Sequence, residues 1–169
     1  MRCPNIRVLP LVLGIFLMLS AVPAWSVTLS PGEPAPEFSL PDIDGKTVSL
    51  SQFRDKTVII AFWSTWCSRC EEELTFLRDQ FDGRDDVAVI LINQDSERTV
   101  STKRIGELRT KLNLRFPIVV DSGLMLWDRY GINALPTSLV IGRNGKVLFM
   151  ESNFYWASPE KILKAASPG

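Results

Sequence analysis

Residues 58–70 read VIIAFWSTWCSRC. This stretch begins as an apolar run typical of a buried β-strand, which stops at Trp63 and is followed by a short polar turn. Cys67 and Cys70 then open a helical pattern with C-x-x-C spacing. The apolar positions of that pattern recur every three or four residues, at Cys70, Leu74, Leu77 and Phe81. The sequence therefore predicts a strand, a turn and a helix that buries one face, with Cys67 at the helix N-terminus.

The two cysteines occupy chemically different positions in this pattern. Unpaired backbone N–H groups and the helix dipole favour a thiolate at Cys67. Cys70 lies one turn later on the apolar face, close enough to form a disulfide and shielded from solvent. We therefore predict that Cys67 is the reactive cysteine and that Cys70 is the resolving one.

Two simpler interpretations of the pair are disfavoured by the sequence. A structural zinc site needs four ligands, and this chain has no histidine and only Cys3 beyond the pair. A purely structural disulfide across one helical turn closes a loop too small to constrain much of the unfolded chain. A C-x-x-C pair that follows a buried strand is more typical of thiol–disulfide exchange.

The first 26 residues have the pattern of a secretory signal peptide. Arg2 and Arg7 give a basic start, an apolar run covers residues 8–22, and Ala24 and Ser26 are small residues at the two positions that a signal peptidase reads. We expect cleavage there, which leaves residues 27–169 as one folded domain. A retained membrane anchor is the alternative, although the apolar run is shorter than the ~20 residues that a spanning helix needs.

The charge balance and the cysteine count argue against a nucleic-acid-binding protein and for an exported thiol protein. Basic and acidic residues each number 19, and loss of the N-terminal arginines leaves a slight acidic excess. Such a chain has no basic patch for nucleic acid. Loss of Cys3 leaves only the C-x-x-C pair, which indicates thiol chemistry outside the reducing cytosol.

The remaining patterns predict an α/β fold, in which a central mixed β-sheet is flanked by helices. Besides the strand at 57–63, sheet strands are expected at 87–93, 116–120, 137–141 and 146–150. An additional N-terminal β-hairpin is expected from 38–40 and 47–50, around an Asp-Gly turn. Besides the helix that ends near Phe81, helices are expected at 96–114, 124–130 and 158–166, the last with Ser158 as its N-cap.

These motifs together resemble the thioredoxin superfamily, and within it the exported TlpA/ResA-like thiol–disulfide oxidoreductases close to those that serve cytochrome c maturation. The resemblance covers about residues 34–166 and is carried by FSLPDIDGKTVSL, FWSTWCSRC, FPIVVD and YGINALPTSLVIGRNGKV. It implies a thioredoxin fold with an N-terminal β-hairpin extension and a helical insertion.

The resemblance also implies roles for individual residues. Cys67 matches the nucleophile of the family, Cys70 the resolving cysteine, and Pro136 a cis-proline beside the active site. Only ~5–6% of X–Pro bonds in folded proteins are cis, so the local sequence alone could not show this, and a trans proline that starts a strand is the alternative. With a cis bond, the Leu135 backbone would be free to pair with a substrate strand. Trp66 is expected to line the exposed substrate surface.

Glu73 matches an acidic residue that ResA-like proteins place three positions after the second cysteine. It lies one helical turn from Cys70 and borders the apolar face, so a partly desolvated carboxylate there could accept the proton of the Cys70 thiol. The alternative is that Glu71, Glu72 and Glu73 form a solvated acidic first turn that complements the helix dipole.

Three features depart from the family pattern. Ala61 stands where thioredoxins proper carry a buried aspartate, so that route for the proton of the resolving cysteine is absent. Ser68 and Arg69 separate the cysteines, where relatives more often have a proline before the second one. Thr75 replaces a proline in the helix, and residues 153–156 lack the glycine of the family.

The aromatic residues around the motif divide into two groups. We assign Phe62 and Trp63 to the core, because they end the buried strand. We assign Trp127, Tyr130 and Trp156 to packing rather than to the site.

The function implied by the resemblance is that of a periplasmic thiol–disulfide oxidoreductase, which acts as a reductase of protein disulfides. No metal or organic cofactor is needed; the partners would be client proteins with cysteines and a membrane thiol electron donor, and the chain would act as a monomer.

A peroxidase is an alternative, because PAPEFSLPDIDGKTVSLSQF also resembles peroxiredoxins. The chain lacks their Pro-x-x-x-Thr-x-x-Cys arrangement. A non-catalytic binding module with a permanent disulfide is a third possibility.

Overall fold

The computed structural model describes residues 29–95 and 102–167. The predicted signal peptide and the first six residues of the predicted helix at 96–114 lie outside this part of the chain. Within the described part, no helix is both long enough and apolar enough to span a bilayer.

A five-stranded mixed sheet forms the centre of the fold. Its strands are β3 (Thr57–Trp63), β4 (Val87–Asn93), β5 (Ile118–Val120), β6 (Thr137–Ile141) and β7 (Val147–Ser152). They lie in the order β5-β4-β3-β6-β7. Strands β3, β4 and β5 are parallel, whereas β6 runs antiparallel to β3 and β7 antiparallel to β6. The central strand, β3, is buried along its whole length.

Helices and a small hairpin cover the two faces of the sheet. Strands β1 (Ser39–Pro41) and β2 (Thr47–Ser49) pair as the N-terminal hairpin, and a 3₁₀ turn at Leu50–Phe53 leads from it to β3. The helices are α1 (Ser68–Phe81), α2 (Thr102–Lys111), α3 (Met125–Arg129) and α4 (Ser158–Ala166). This arrangement confirms the predicted thioredoxin fold with its hairpin extension and helical insertion.

The alternation of side chains along β3 divides the core into two clusters. Ile59, Ala61 and Trp63 pack in one cluster with apolar residues of α1, α2 and α4. The residues between them pack in a second cluster with the hairpin and α3. Because both faces are covered, β3 reads as a continuous apolar run rather than as an alternating one.

The N-terminal extension also contacts both outer strands of the sheet. The Gly32 N–H donates to the Val147 carbonyl oxygen (2.8 Å), and the Val147 N–H donates to that of Glu33 (2.9 Å). At the opposite edge, the Ile43 N–H donates to the Ile118 carbonyl oxygen (2.9 Å). The extension is therefore an integral part of the domain.

The start of α4 differs from the prediction. Ser158 is the first residue of the helix, and the N-cap position belongs to Ala157. The Ser158 Oγ instead accepts the Tyr155 N–H (2.7 Å) and donates to Glu151 Oε2 (2.5 Å). Ser158 thus fixes the turn before the helix rather than capping the helix itself.

Candidate functional site

The cysteine pair lies where β3 ends and α1 begins. Cys67 is the N-cap residue of α1, as predicted, and it forms a disulfide with Cys70. Their Cα atoms are 5.3 Å apart, within the usual range of about 4.4–6.8 Å. The Cys67 N–H donates to the Ser64 carbonyl oxygen (3.3 Å), and the Cys70 N–H donates to that of Cys67 (3.1 Å). These turn-type hydrogen bonds bring the two sulfur atoms together at the edge of the core.

The two cysteines differ in burial as the sequence predicted. Cys70 is fully buried among Trp63, Leu74 and other members of the first core cluster. Cys67 is half-buried and packs at the border of the same cluster. A partner approaching from solvent therefore meets Cys67 first.

Glu73 lies inside the protein. Its side chain is 1% exposed, and its Oε1 accepts the Ser138 hydroxyl at 2.8 Å. Burial raises the pKa of Glu73 to about 8, an effect that the hydrogen bond from Ser138 partly offsets. Its Oε2 is buried and has no hydrogen-bond partner in the described part of the chain. The carboxyl is therefore held one turn from Cys70 with one oxygen uncommitted.

The three consecutive glutamates have three different environments. Glu71 forms an ion pair with Lys111 (2.6 Å), and Glu72 is exposed. Only Glu73 turns into the core. The alternative interpretation of all three as a solvated acidic turn is therefore wrong for Glu73.

Ser138 is a site residue that the sequence reasoning missed. It lies directly opposite Ala61 in the β3–β6 register, so the two side chains share one face of the sheet. Ala61 stands where thioredoxins proper carry a buried aspartate, and here the carboxyl beside this position is that of Glu73. The signal in the sequence was a serine in a predicted buried strand, two positions after Pro136.

The Leu135–Pro136 peptide bond is cis, as the resemblance implied. Pro136 is buried, and its carbonyl oxygen accepts the Asn153 N–H at 2.6 Å. Leu135 is half-buried and packs against both core clusters. Within the described residues, neither the N–H nor the carbonyl oxygen of Leu135 has a hydrogen-bond partner.

A buried carboxylate supports the turn before Cys67. The Thr65 N–H donates to Asp95 Oδ1 at 3.1 Å, and the Gln94 N–H donates to the Trp63 carbonyl oxygen at 2.7 Å. Asp95 is fully buried. The sequence reasoning did not single out Asp95, although an acidic residue two positions after a buried strand was a usable signal.

The aromatic residues confirm most of the predicted assignments. Phe62, Trp63 and Tyr130 are fully buried, whereas Trp66 is 64% exposed beside Cys67. The assignment of Trp156 to packing is wrong, because its side chain is 94% exposed. Its neighbour Phe154 packs against the core in its place.

Comparisons with known proteins agree on the family. A family model described as AhpC/TSA matches residues 31–150. The thiol-disulfide oxidoreductase ResA of Bacillus thuringiensis subsp. konkukian (strain 97-27) is 33% identical over 118 residues, which cover 69% of this chain and 66% of that relative. ResA of Bacillus subtilis (strain 168) is 30% identical over 135 residues, covering 79% of this chain and 73% of that relative.

A solved structure supports the same relationship. The protein is from Chlorobium tepidum and is assigned as a thiol:disulfide interchange protein, DsbE. It superposes with a TM-score of 0.71 at 27% sequence identity, covering 82% of this chain and 96% of that one. The TlpA/ResA-like resemblance inferred from the sequence is thereby confirmed.

Proposed function

The chain belongs to the AhpC/TSA family and is similar to the thiol-disulfide oxidoreductases called ResA, and on this premise we propose that it is an exported reductase of protein disulfides. The observation that carries the proposal is the asymmetry of the site. One cysteine is accessible at a helix N-terminus, and the other is buried one turn from a buried carboxyl. A role in cytochrome c maturation is the biological setting that this resemblance favours.

In the first step, the Cys67 thiolate attacks one sulfur of a client disulfide. A Cys67–client disulfide forms, and the second client sulfur leaves as a thiolate that takes up a proton from water. The N-terminus of α1 stabilises the attacking thiolate through its unpaired N–H groups. Because Cys67 is half-buried, its sulfur can meet a client without prior opening of the core.

In the second step, Cys70 resolves the mixed disulfide. The Cys70 thiol transfers its proton to the Glu73 carboxylate, and its sulfur attacks the sulfur of Cys67. The client sulfur leaves as a thiolate and is then protonated. The client has gained two electrons, and the protein ends with the Cys67–Cys70 disulfide seen in the structure.

Glu73 is suited to this proton transfer by its burial. A thiolate in the core is costly unless a base takes the proton as it forms. Burial raises the pKa of Glu73 to about 8, which makes its carboxylate a stronger base towards the Cys70 thiol than a solvated carboxylate. A solvated glutamate would be too weak a base for the same transfer.

We assign the substrate platform to the exposed surface around Cys67. The unpaired backbone of Leu135 offers one N–H and one carbonyl oxygen to an extended client segment. Pro136 fixes the loop that carries Leu135, and the ring of Trp66 stands exposed beside the nucleophile. A client strand laid here would bring its disulfide next to Cys67.

The oxidised protein must be reduced by another dithiol before the next cycle. Each step exchanges electrons between sulfur atoms, so the chemistry requires no metal or organic cofactor. A membrane thiol carrier is the donor that the resemblance favours, with the protein working as a monomer in the periplasm. The basic and apolar N-terminal sequence supports export.

Reduction of insulin disulfides tests the proposal. With a dithiol as the electron source, catalytic amounts of the protein should accelerate insulin reduction well above the rate of the dithiol alone. Failure to accelerate reduction with any dithiol would contradict the proposal and favour a binding module with a permanent disulfide.

A peroxidase is the second candidate, because the AhpC/TSA family model spans the N-terminal hairpin and the cysteine motif. The same preparation should consume hydrogen peroxide no faster than the control that contains the dithiol alone. Peroxide consumption faster than insulin reduction would favour the peroxidase.

Alkylation of the reduced protein tests the order of the two cysteines. We expect iodoacetamide to modify Cys67 at least about tenfold faster than Cys70 at neutral pH, because only Cys67 is both accessible and at the helix N-terminus. Peptide mass spectrometry of short labelling times gives the two rates. Unfolding in guanidinium should make the rates similar, whereas faster labelling of Cys70 in the native protein would reverse the assignment.

A further inference from the structure

The loop between β7 and α4, residues 153–157, borders the cysteine motif. At one end, the Asn153 N–H donates to the Pro136 carbonyl oxygen at 2.6 Å. Further along, the Arg69 guanidinium lies 6.0 Å from the centre of the Tyr155 ring. The loop therefore contacts both the proline loop and the residue between the two cysteines.

Contacts with α1, β7 and α4 hold this loop in place. Phe154 packs against Phe76 of α1 with ring centres 5.7 Å apart. The Tyr155 N–H is bound by Ser158 Oγ, which in turn donates to Glu151. The same Glu151 forms an ion pair with Lys161. The backbone of the loop is therefore fixed, while the side chains of Tyr155 and Trp156 remain outside the core.

The exposed side chains of this surface are aromatic. Tyr155 is 51% exposed, Trp156 is 94% exposed, and Trp66, in the turn before α1, is 64% exposed. We call Trp66, Tyr155 and Trp156 the aromatic rim. Large aromatic side chains left in water are enriched at binding surfaces, because they bury much area on association at little entropic cost. The rim therefore has the chemistry of a contact surface for a partner.

Arg69 adds a positive charge to the rim. It is exposed, and it forms no ion pair within the described residues. Of the two acidic residues nearest in sequence on the helix surface, Glu71 forms an ion pair with Lys111, and Glu72 is exposed and forms no ion pair with Arg69 within the described residues. A carboxylate of a bound segment would be attracted to Arg69 at the point where it stacks on Tyr155.

We propose that the aromatic rim and Arg69 select the client: an extended, unfolded segment with an aromatic residue and an acidic residue beside its reactive cysteine. This inference rests on the proposed reductase function. A client strand paired with Leu135 lies beside the β7–α4 loop, because the Asn153 N–H binds the carbonyl oxygen of the adjoining Pro136. The side chains that flank its cysteine then face Tyr155 and Arg69. Tyr155 and Trp156 are then specificity-determining residues, although neither takes part in the exchange of sulfur bonds.

Reduction of short peptide disulfides tests the proposal. The substrates are peptides of one length, each joined to glutathione through a single cysteine, whose neighbours are Phe and Glu, Ser and Glu, Phe and Lys, or Ser and Lys. The wild-type protein should reduce the Phe/Glu peptide with a kcat/KM about tenfold above that of the Ser/Lys peptide, as expected for two contacts that together contribute about 1.4 kcal/mol. The Tyr155→Ala/Trp156→Ala variant should lose the preference for Phe over Ser. Arg69→Gln should lose the preference for Glu over Lys.

The controls separate this proposal from the function on which it rests. Leu148→Ala removes a similarly exposed apolar side chain from the far end of β7 and should keep both preferences. Hydroxyethyl disulfide has no flanking residues, so the wild type and Leu148→Ala should reduce it at equal rates. A wild-type protein that reduces neither this compound nor any peptide would refute the reductase function. Reduction of all four peptides at equal rates, or preferences that survive in the variants, would refute client selection alone.

Discussion

Replacing Cys67 with serine is expected to abolish insulin reduction, with a loss on the order of 10³-fold or more. Replacing Cys70 with serine is expected to block turnover at a different point. The variant should still capture a client through Cys67, and the mixed disulfide should then accumulate because no second thiol releases it. The physical reason is the geometry of the pair, in which Cys67 is accessible at the helix N-terminus and Cys70 is enclosed by the core.

Non-reducing electrophoresis and mass spectrometry of the trapped species measure this difference. Ser68→Ala is a matched control, because Ser68 is exposed between the two cysteines and should retain both capture and release. The trapped species should disappear in the variant that lacks both cysteines. Accumulation of the mixed disulfide on Cys67→Ser instead of on Cys70→Ser would exchange the roles of the two residues.

Glu73→Gln is expected to change both the stability of the protein and the second step of its reaction. Folding holds the pKa of Glu73 at about 8, above its ordinary value of 4.5. Between these two pH values the folded protein keeps a proton that the unfolded chain has released, so stability falls as pH rises. The slope reaches at most about 1.4 kcal/mol per pH unit. The contribution is fully present below pH 4.5 and is lost as pH rises through about 8.

Unfolding of the oxidised protein in denaturant between pH 5 and pH 8 measures this effect. The wild type should lose stability over this range, and Glu73→Gln should lose much less, because glutamine does not titrate. Glu72→Gln is the matched control, since Glu72 is exposed, and it should follow the wild type. An unchanged slope in Glu73→Gln would show that another group is responsible.

The kinetic consequence of Glu73→Gln appears in the release of the mixed disulfide. We expect release to slow about 100-fold, a typical contribution of a positioned base, while the first attack by Cys67 changes little. In the wild type, release should accelerate as pH rises towards 8, because the carboxylate form of Glu73 is then populated. Rapid-quench measurement of the two steps separates them. Equal release rates in variant and wild type would remove Glu73 from the proton transfer.

Much of the fold could be predicted because its central strands are covered on both faces. The runs of β3, β4 and β6 begin and end where the structure has them, since polar residues bound the first two and Pro136 and Gly142 bound the third. The different positions of Cys67 and Cys70 followed from the helical period alone. The cis bond before Pro136 came only from the resemblance, because no local pattern distinguishes a cis from a trans proline.

The environments of Glu73 and Trp156 could not be predicted from local sequence. Glu73 is one of three identical neighbours, and the residue that binds it, Ser138, comes 65 positions later in the chain. Tryptophan is a residue type often found in cores, but here the nearby Phe154 packs against the core and Trp156 does not. The burial of both side chains depends on which residues of other segments pack against α1. Local sequence patterns do not show that packing.

The N-terminal extension occupies backbone groups on both outer strands of the sheet, at Val147 on one side and Ile118 on the other. If the protein reduces unfolded clients as proposed, it meets chains whose N–H and carbonyl groups are free to pair with the open edge of a sheet. Because these positions are already filled by the protein's own chain, a client finds no template for aggregation there. The extension thus keeps these positions of the two outer strands from pairing with a client chain.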